Sequence, residues 1–468
     1  MNKLLIFIIC LGFIYLIGPV TSYFSQDDFF HLRVVSQKNI SDIPSFFLGK
    51  QQEYGFFRPL SRETYNLIMY KIFDLNPFPY HLMNLLVIII NGLLVFHISK
   101  KITGINIVGL LASFLYLTSS VRNVELYYLS SIQTLFATTF LILATLGYLN
   151  KRYLLSLILF FLALLCHEIA IVFPGIIFLI EMTNSKKILK LSPFFLVVLI
   201  YLLFTSFTSL PNQQVYQLSI NPKSILNTFG WYTLWSFGLP EMLVDFVGPG
   251  FKINENFISW FPLYSKIVFP LFLFISISFF SFVLILKKKI LTRSFLLTSS
   301  FFIISISPFL FFPQKKFVYY LDLASVWFAI FLSIILFKIC QKSNLRAWVV
   351  LIVMALSIVY KETSDINKIT YWAAKRSKSA EYLVTDLKNK FPNPPKGAVF
   401  YIKDDPDYPF ISKEWGSSSK QAFYILSGSD AFKLIYKDSS IKAYYQANDP
   451  EFKESEVKFI PYTAKFPY

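Results

Sequence analysis

Apolar residues fill long stretches of this chain, at about 4 to 20, 78 to 98, 105 to 119, 126 to 149, 191 to 208, 264 to 286, 295 to 312, 320 to 338 and 346 to 360. Runs of this kind predict membrane-spanning helices, because about 20 apolar residues cross a hydrocarbon core. The run from Tyr153 to Met182 is too long for one crossing, and His167 and Glu168 interrupt it, so it predicts two short helices that turn on the outer side. The pattern therefore predicts about eleven spans. From Lys361 the chain turns polar, with a helical stretch to about Phe391, a break at "FPNPPKG", and β-rich pieces "AVFYI", "QAFYIL" and "IKAYY" between turn residues. The expected fold class is an all-α polytopic membrane protein, residues 1–360, with a small extracytoplasmic α+β domain, residues 361–468.

Composition agrees with the pattern: of 468 residues, 55% are hydrophobic and 15% charged, far from the balance of a soluble domain. The net charge of +17 raises the question of nucleic acid, and its placement answers no. From Lys361 on, 17 Lys and Arg stand against 14 Asp and Glu, so most of the excess lies in the apolar part. There it gathers in clusters between runs: Lys100 and Lys101, Lys151 and Arg152, Lys186 and Lys187, Lys287 to Lys289, and Lys338 to Arg346. Clusters so placed mark cytoplasmic loops. Eleven spans then put the N-terminus inside and the C-terminus outside, in a multi-pass protein of the cell membrane. Residues 21–77 form the first extracytoplasmic loop. Leu4 to Val20 lacks a cleavage site of small residues and reads as a retained anchor. "SILNTFGWYTLWSFGLPEML", Ser224 to Leu243, reads as an interfacial helix or a partial insertion. Cys10, Cys166 and Cys340 lie in or beside apolar runs and imply no disulfide framework.

The polar residues of interest fall on one side of this topology. Asp27 and Asp28 stand at the outer end of the first helix, with His31 one turn on. A partly desolvated carboxylate there suits a general base, and a helix-end charge pair is the plain alternative. Arg58, ahead of Pro59, is placed either to clamp a phosphate with two prongs or to snorkel to lipid phosphates. His81, Asn84 and Asn91 share or nearly share a face of the second span. Glu125 and Glu168 are further outer-side carboxylates at span ends. His31, His167 and the four carboxylates would make a metal site only if they converge, since no ligand spacing of known type occurs, and a divalent cation, Mn²⁺ or Mg²⁺, stays open as a cofactor. "YIKDDPDYPF", Tyr401 to Phe410, reads as a Pro-rich turn. Phosphate-binding glycine loops, zinc-protease helices and nucleophile elbows are absent from the sequence.

Taken in order, Asp27-Asp28, "FRPL" at 57–60, "NPFPYHLMNLL" followed by Asn91, "VRNVELYYLSS" at 121–131, "HEIAIVFP" at 167–174 and "KKFVYYL" at 315–321 resemble the GT-C integral-membrane glycosyltransferases, and most of all the protein O-mannosyltransferase branch. The resemblance covers about the first 330 residues. It implies transfer of a sugar from a polyprenyl-phosphate monosaccharide to an extracytoplasmic acceptor, a protein hydroxyl, glycan or lipid, with inversion. It also implies Asp27 and Asp28 as the catalytic pair, Glu125 and Glu168 as outer-face glutamates of the site, Arg58 as the arginine of its "RPL" segment, and Lys316 and Tyr319 at its Arg-x-x-Tyr. A departing polyprenyl phosphate needs cationic stabilisation, for which Arg58 and Lys316 are the candidates. Ile88 and Lys316 stand where relatives often have His and Arg, and the tail carries no tetratricopeptide period. A transporter or flippase of a lipid-linked sugar is the second reading, and it would place functional charges near the bilayer midplane.

Overall fold

The computed structural model describes residues 3–48, 56–184, 188–206, 217–248, 252–409, 416–452 and 458–466. Lys186 and Lys187, one of the basic clusters, lie outside the described residues. Among the described residues, seven helical stretches are long and apolar enough to cross a membrane: Pro77–Thr103, Leu129–Leu149, Ile188–Thr205, Pro262–Ile285, Arg293–Leu310, Val318–Cys340 and Ser343–Lys390. Asn106–Thr118 and Ser120–Tyr127, bent by 44°, make an eighth if taken as one span. Two of the other expected spans, Lys3–Leu16 and Tyr153–Leu164, have only 14 and 12 helical residues. Side chains such as Leu196, Leu199, Ile200 and Leu203 stand exposed along one helix. A surface of that kind is stable against lipid tails.

Local chemistry explains where the helices start and stop. Asn76 accepts the Phe78 N–H, Pro77 opens the helix Pro77–Thr103, and Gly104, at φ 73°, ends it in the left-handed conformation that favours glycine. The long run splits as its polar dipeptide foretells, into Tyr153–Leu164 and Phe173–Asn184, joined through a 3₁₀ turn at Glu168–Val172. The carbonyls freed at this break find partners in the loop after Arg58: Leu165 accepts from the Leu60 N–H at 3.2 Å, and Cys166 from the Ser61 hydroxyl at 2.6 Å. That satisfies polar backbone that would otherwise be costly to bury.

The acidic pair is not at the end of the first helix. Lys3–Leu16 stops before Gly18 and Pro19, a 3₁₀ turn follows at Gly18–Thr21, and Asp27 opens a separate helix, Asp27–Ser36. Pro19 has no N–H to continue the first helix, and the two carboxylates in the new first turn favour the positive end of its dipole.

The C-terminal sheet is parallel throughout, in the order β2-β1-β3, with β1 at Val399–Lys403, β2 at Lys442–Tyr445 and β3 at Ile460–Thr463. "QAFYIL" is not a strand. It lies in the helix Ser418–Leu426, with Gln421, Ala422, Ile425 and Leu426 buried at helical spacing. Parallel neighbours need a crossover, and this helix together with Asp430–Ile435 supplies it. Arg346–Thr370 runs past residue 360 and meets Trp372–Lys390 across Tyr371. The core under the sheet, with Leu383, Leu387, Phe400, Ile402 and Phe432, also takes in Phe24, Phe29 and Leu32. The acidic helix is thus held between the membrane helices and the C-terminal segment.

Candidate functional site

The two aspartates face different surroundings. Asp28 is buried, and its Oδ2 accepts the Ser25 N–H at 2.9 Å. Burial pushes its carboxyl up to about 8, helped by the charge of Asp27, while the bonds from Ser25 and Ser130 pull the other way. It shares with His31, Tyr65 and Asn66 a cavity of about 10 Å³, which has room for about one water and no sugar. Asp27 is half-buried, and its Oδ2 accepts the Tyr128 hydroxyl at 2.7 Å.

Around Tyr128 lies a half-buried group of aromatic rings. Tyr319 is 4.9 Å away and Trp372 5.1 Å, centroid to centroid, and Phe317 stacks on Tyr319 at 5.3 Å and 15°. Glu241 fixes this group by accepting from the Trp372 indole at 3.1 Å and the Val318 N–H at 2.6 Å. The Lys315 ammonium stands 5.7 Å from the Phe317 ring, and the Arg376 guanidinium 5.5 Å from that of Trp372. Burial lowers both Lys315 and Arg376, and the charge of Asp27 opposes this at each. Lys316 is half-buried, its ammonium donating to Asn227 Oδ1 at 3.3 Å, and burial lowers it too.

Arg58 is a fork already engaged. Its Nε and one terminal nitrogen grip both oxygens of Glu168, and the other terminal nitrogen donates to Gln133 Oε1 at 2.6 Å. Burial alone would raise the Glu168 carboxyl, but the Arg58 charge, with His167 and the hydrogen bonds, holds it down to about 2. His167 accepts the Ile169 N–H on Nδ1, and burial with the nearby Arg58 charge lowers it to about 3. His31 lies 3.5 Å from the Gln133 amide, and burial with the charges of Arg62 and Arg58 pushes it well below its ordinary value. Both imidazoles are therefore neutral at physiological pH.

Glu125 is not at a surface. It is fully buried and paired with Arg122 at 2.7 Å, and Arg122 also donates to Asp322 and to the Tyr116 hydroxyl, each at 2.7 Å. The polar face of Pro77–Thr103 is likewise turned to structure. His81 Nδ1 meets the Leu126 carbonyl at 2.7 Å, Asn84 donates to the Glu125 and Leu129 carbonyls, and Asn91 accepts from Thr139 at 2.7 Å. Asp404 and Asp405 accept backbone amides of Ser419 and Asp407. Among the described residues no three His, Cys, Asp or Glu side chains gather to hold a metal ion.

The structure thus brings Asp27 to Tyr319 through Tyr128, and Arg58 to Glu168, His167 and His31. Tyr128, Gln133, Glu241, Trp372, Arg376 and Arg122 were not singled out from the sequence. "VRNVELYY" carries Arg122 and Tyr128 within a segment already marked, but nothing local distinguishes them from its other residues.

No family model and no curated protein matches the chain in sequence. Among solved structures, it is similar to the oligosaccharyltransferase of the archaeon Archaeoglobus fulgidus. A crystal structure of that protein with Zn and sulfate gives 14% identity over 93% of this chain and 62% of the other, at a TM-score of 0.49. A complex of it, named AglB, with an inhibitory peptide and a dolichol-phosphate gives 12% identity over 94% and 64%, at 0.48. This chain spans less than two thirds of the length of that protein.

Proposed function

We propose that this protein is a membrane glycosyltransferase that moves a sugar from a polyprenyl-phosphate monosaccharide to a hydroxyl on an extracytoplasmic acceptor, with inversion. The observation that carries the reading is Asp27: a half-buried carboxylate bonded to Tyr128, beside an aromatic group, with Lys315 and Arg376 within reach of its charge. The acceptor oxygen attacks the anomeric carbon as its proton passes to Asp27, the bond from that carbon to the phosphate oxygen breaks, and polyprenyl phosphate leaves. Cationic side chains offset the charge that grows on the leaving group, and Lys316 and Arg58 are assigned that part. Asp28, buried beside a cavity too small for a sugar, holds the turn that presents Asp27.

In this reading the acidic helix lies on the extracytoplasmic side with residues 361–468, and the apolar helix faces hold the polyprenyl tail. The experiment is incubation of purified protein with a panel of polyprenyl-phosphate sugars, measuring released polyprenyl phosphate. Release that needs both an acceptor and Asp27 supports the reading. Movement of intact lipid-linked sugar across vesicles without release supports the flippase instead.

A further inference from the structure

Residues Ser25 to Asp28 form a tight turn in which the Asp28 N–H donates to the Ser25 carbonyl at 3.2 Å. Gln26, at its second position, has φ 54° and ψ −118°. Those angles are those of a type II′ turn, where glycine is the residue at ease and a side chain is strained. Such a conformation persists only where the surroundings over-determine it. Beyond the bond within the turn from the Ser25 N–H to Asp28, two holds come from the C-terminal segment: the Gln26 N–H donates to the Ile425 carbonyl at 2.8 Å, and Arg376 donates to Gln26 Oε1 at 2.6 Å. Arg376 is itself fixed between the rings of Trp372 and Tyr424, at 5.5 and 5.6 Å.

The same segment grips the chain on either side of the turn, before it at Tyr23 and after it, on the helix, at Arg33. Ser377 accepts the Tyr23 N–H at 2.7 Å, and Asp430 accepts from Arg33 Nε at 2.8 Å. We infer that Arg376 is a positioning residue which, with the Ile425 carbonyl, clamps the strained turn at Gln26 and so sets the direction of Asp27. The C-terminal segment is then part of the transfer site, as the support of its base. The positioning of a catalytic base rests on the function proposed above, whereas the clamp itself does not.

Amide hydrogen exchange of the full-length protein in detergent tests the clamp. Arg376→Ala should speed exchange over residues 24–36 by about tenfold while the long membrane helices keep their protection. Gln26→Gly in the same chain, which removes the strain, should restore most of that protection. If Arg376→Ala leaves 24–36 unchanged, or if the double variant exchanges as fast as Arg376→Ala alone, the clamp is wrong. Arg376→Lys, which keeps a cation between the rings but loses the fork, should give the same change to a smaller degree if Arg376→Ala does not fold, and no change there overturns the clamp too. In the transfer assay Arg376→Ala should lower kcat by about tenfold with the donor KM kept, and Gln26→Gly should return much of the loss. A KM effect alone overturns the positioning role. Exchange changes as expected in a protein with no transferase activity leave the clamp standing and remove the proposed function.

Discussion

Tyr128 donates its hydroxyl to Asp27 Oδ2 at 2.7 Å, while its ring packs against those of Tyr319 and Trp372. One tyrosine thus ties the segment that carries Asp27, the residues after Lys315 and the start of the C-terminal segment together. A phenol that donates to a carboxylate steadies it in one direction and leaves its other oxygen for a second partner.

Asp27→Asn should therefore depress turnover by about 10²- to 10⁴-fold with donor binding kept, the range for loss of a general base. Tyr128→Phe keeps the ring packing and removes only the hydrogen bond, so its effect should be smaller. The same assays with chelator, then with added Mn²⁺ or Mg²⁺, separate proton transfer from metal binding. Activity of Asp27→Asn at the parent rate would remove the base from this mechanism.

Asp28 should show itself in stability. Its carboxyl is ordinarily near 3.8 and is raised to about 8 in the folded protein, so between those values the folded state holds a proton that the unfolded state has lost. The contribution of this group is fully present below about 4 and is lost as pH rises through about 8. Asp28→Asn still offers an oxygen to the Ser25 N–H and carries no charge. Thermal unfolding of this variant should depend less on pH across that window, and parent-like dependence would contradict the assignment.

The long apolar helices were legible because apolar length is a local property, and so was the break at His167 and Glu168, but the expected eleven spans are not reached among the described residues, where seven helices, or eight with the bent pair, are long enough to cross. What escaped was set by distant partners. The Gln26 turn carries no glycine or asparagine signal, since its conformation is imposed by Arg376 and Ile425. "QAFYIL" reads as a strand by residue type, and only its place between parallel strands makes it a helix. Glu125 resembles a site glutamate in sequence, yet its partner Arg122 bridges to Asp322, about 200 residues away. Arg58 likewise looks free until Glu168 is placed beside it.

The basic clusters predict the sidedness. Single cysteines at Ser36, Ser219 and Ser417 should react with an impermeant thiol reagent from outside intact cells, and one at Ser343, within the basic segment Lys338 to Arg346, should react only after permeabilisation. A cytoplasmic Ser36 would put Asp27 on the wrong side for the proposed chemistry.

The Arg122 cluster holds one cation between two carboxylates, all buried. Arg122→Leu leaves two uncompensated acids and should destabilise by about 3–5 kcal/mol, the cost of breaking a buried pair. Glu125→Gln removes the surplus negative charge and should be close to neutral in the same unfolding assay, with turnover kept. Loss of turnover in a normally folded Glu125→Gln protein would instead place Glu125 in the chemistry, as the family resemblance implies.

Arg58 and Lys316 should separate in their effects. Lys316 bonds the surface amide of Asn227 at 3.3 Å, so Lys316→Ala should raise the donor KM with thermal stability unchanged. Arg58→Ala strips Glu168 of its fork and should cost about 1–3 kcal/mol, less than a fully buried pair because the Glu168 side chain is 34% exposed. The pair also sets the acid limb. Glu168 is held at about 2 against an ordinary 4.5, so its stabilisation is present above about 4.5 and is lost as pH falls through about 2, and Glu168→Gln should flatten that limb. Glu168→Gln also decides what the arginine is for. The amide keeps a hydrogen bond to Arg58 but leaves the guanidinium charge without a counter-ion, so a donor phosphate that meets Arg58 should bind tighter and its KM should fall. An unchanged donor KM, with the acid limb flattened as expected, would confine Arg58 to holding the loop after "FRPL" against the break at His167.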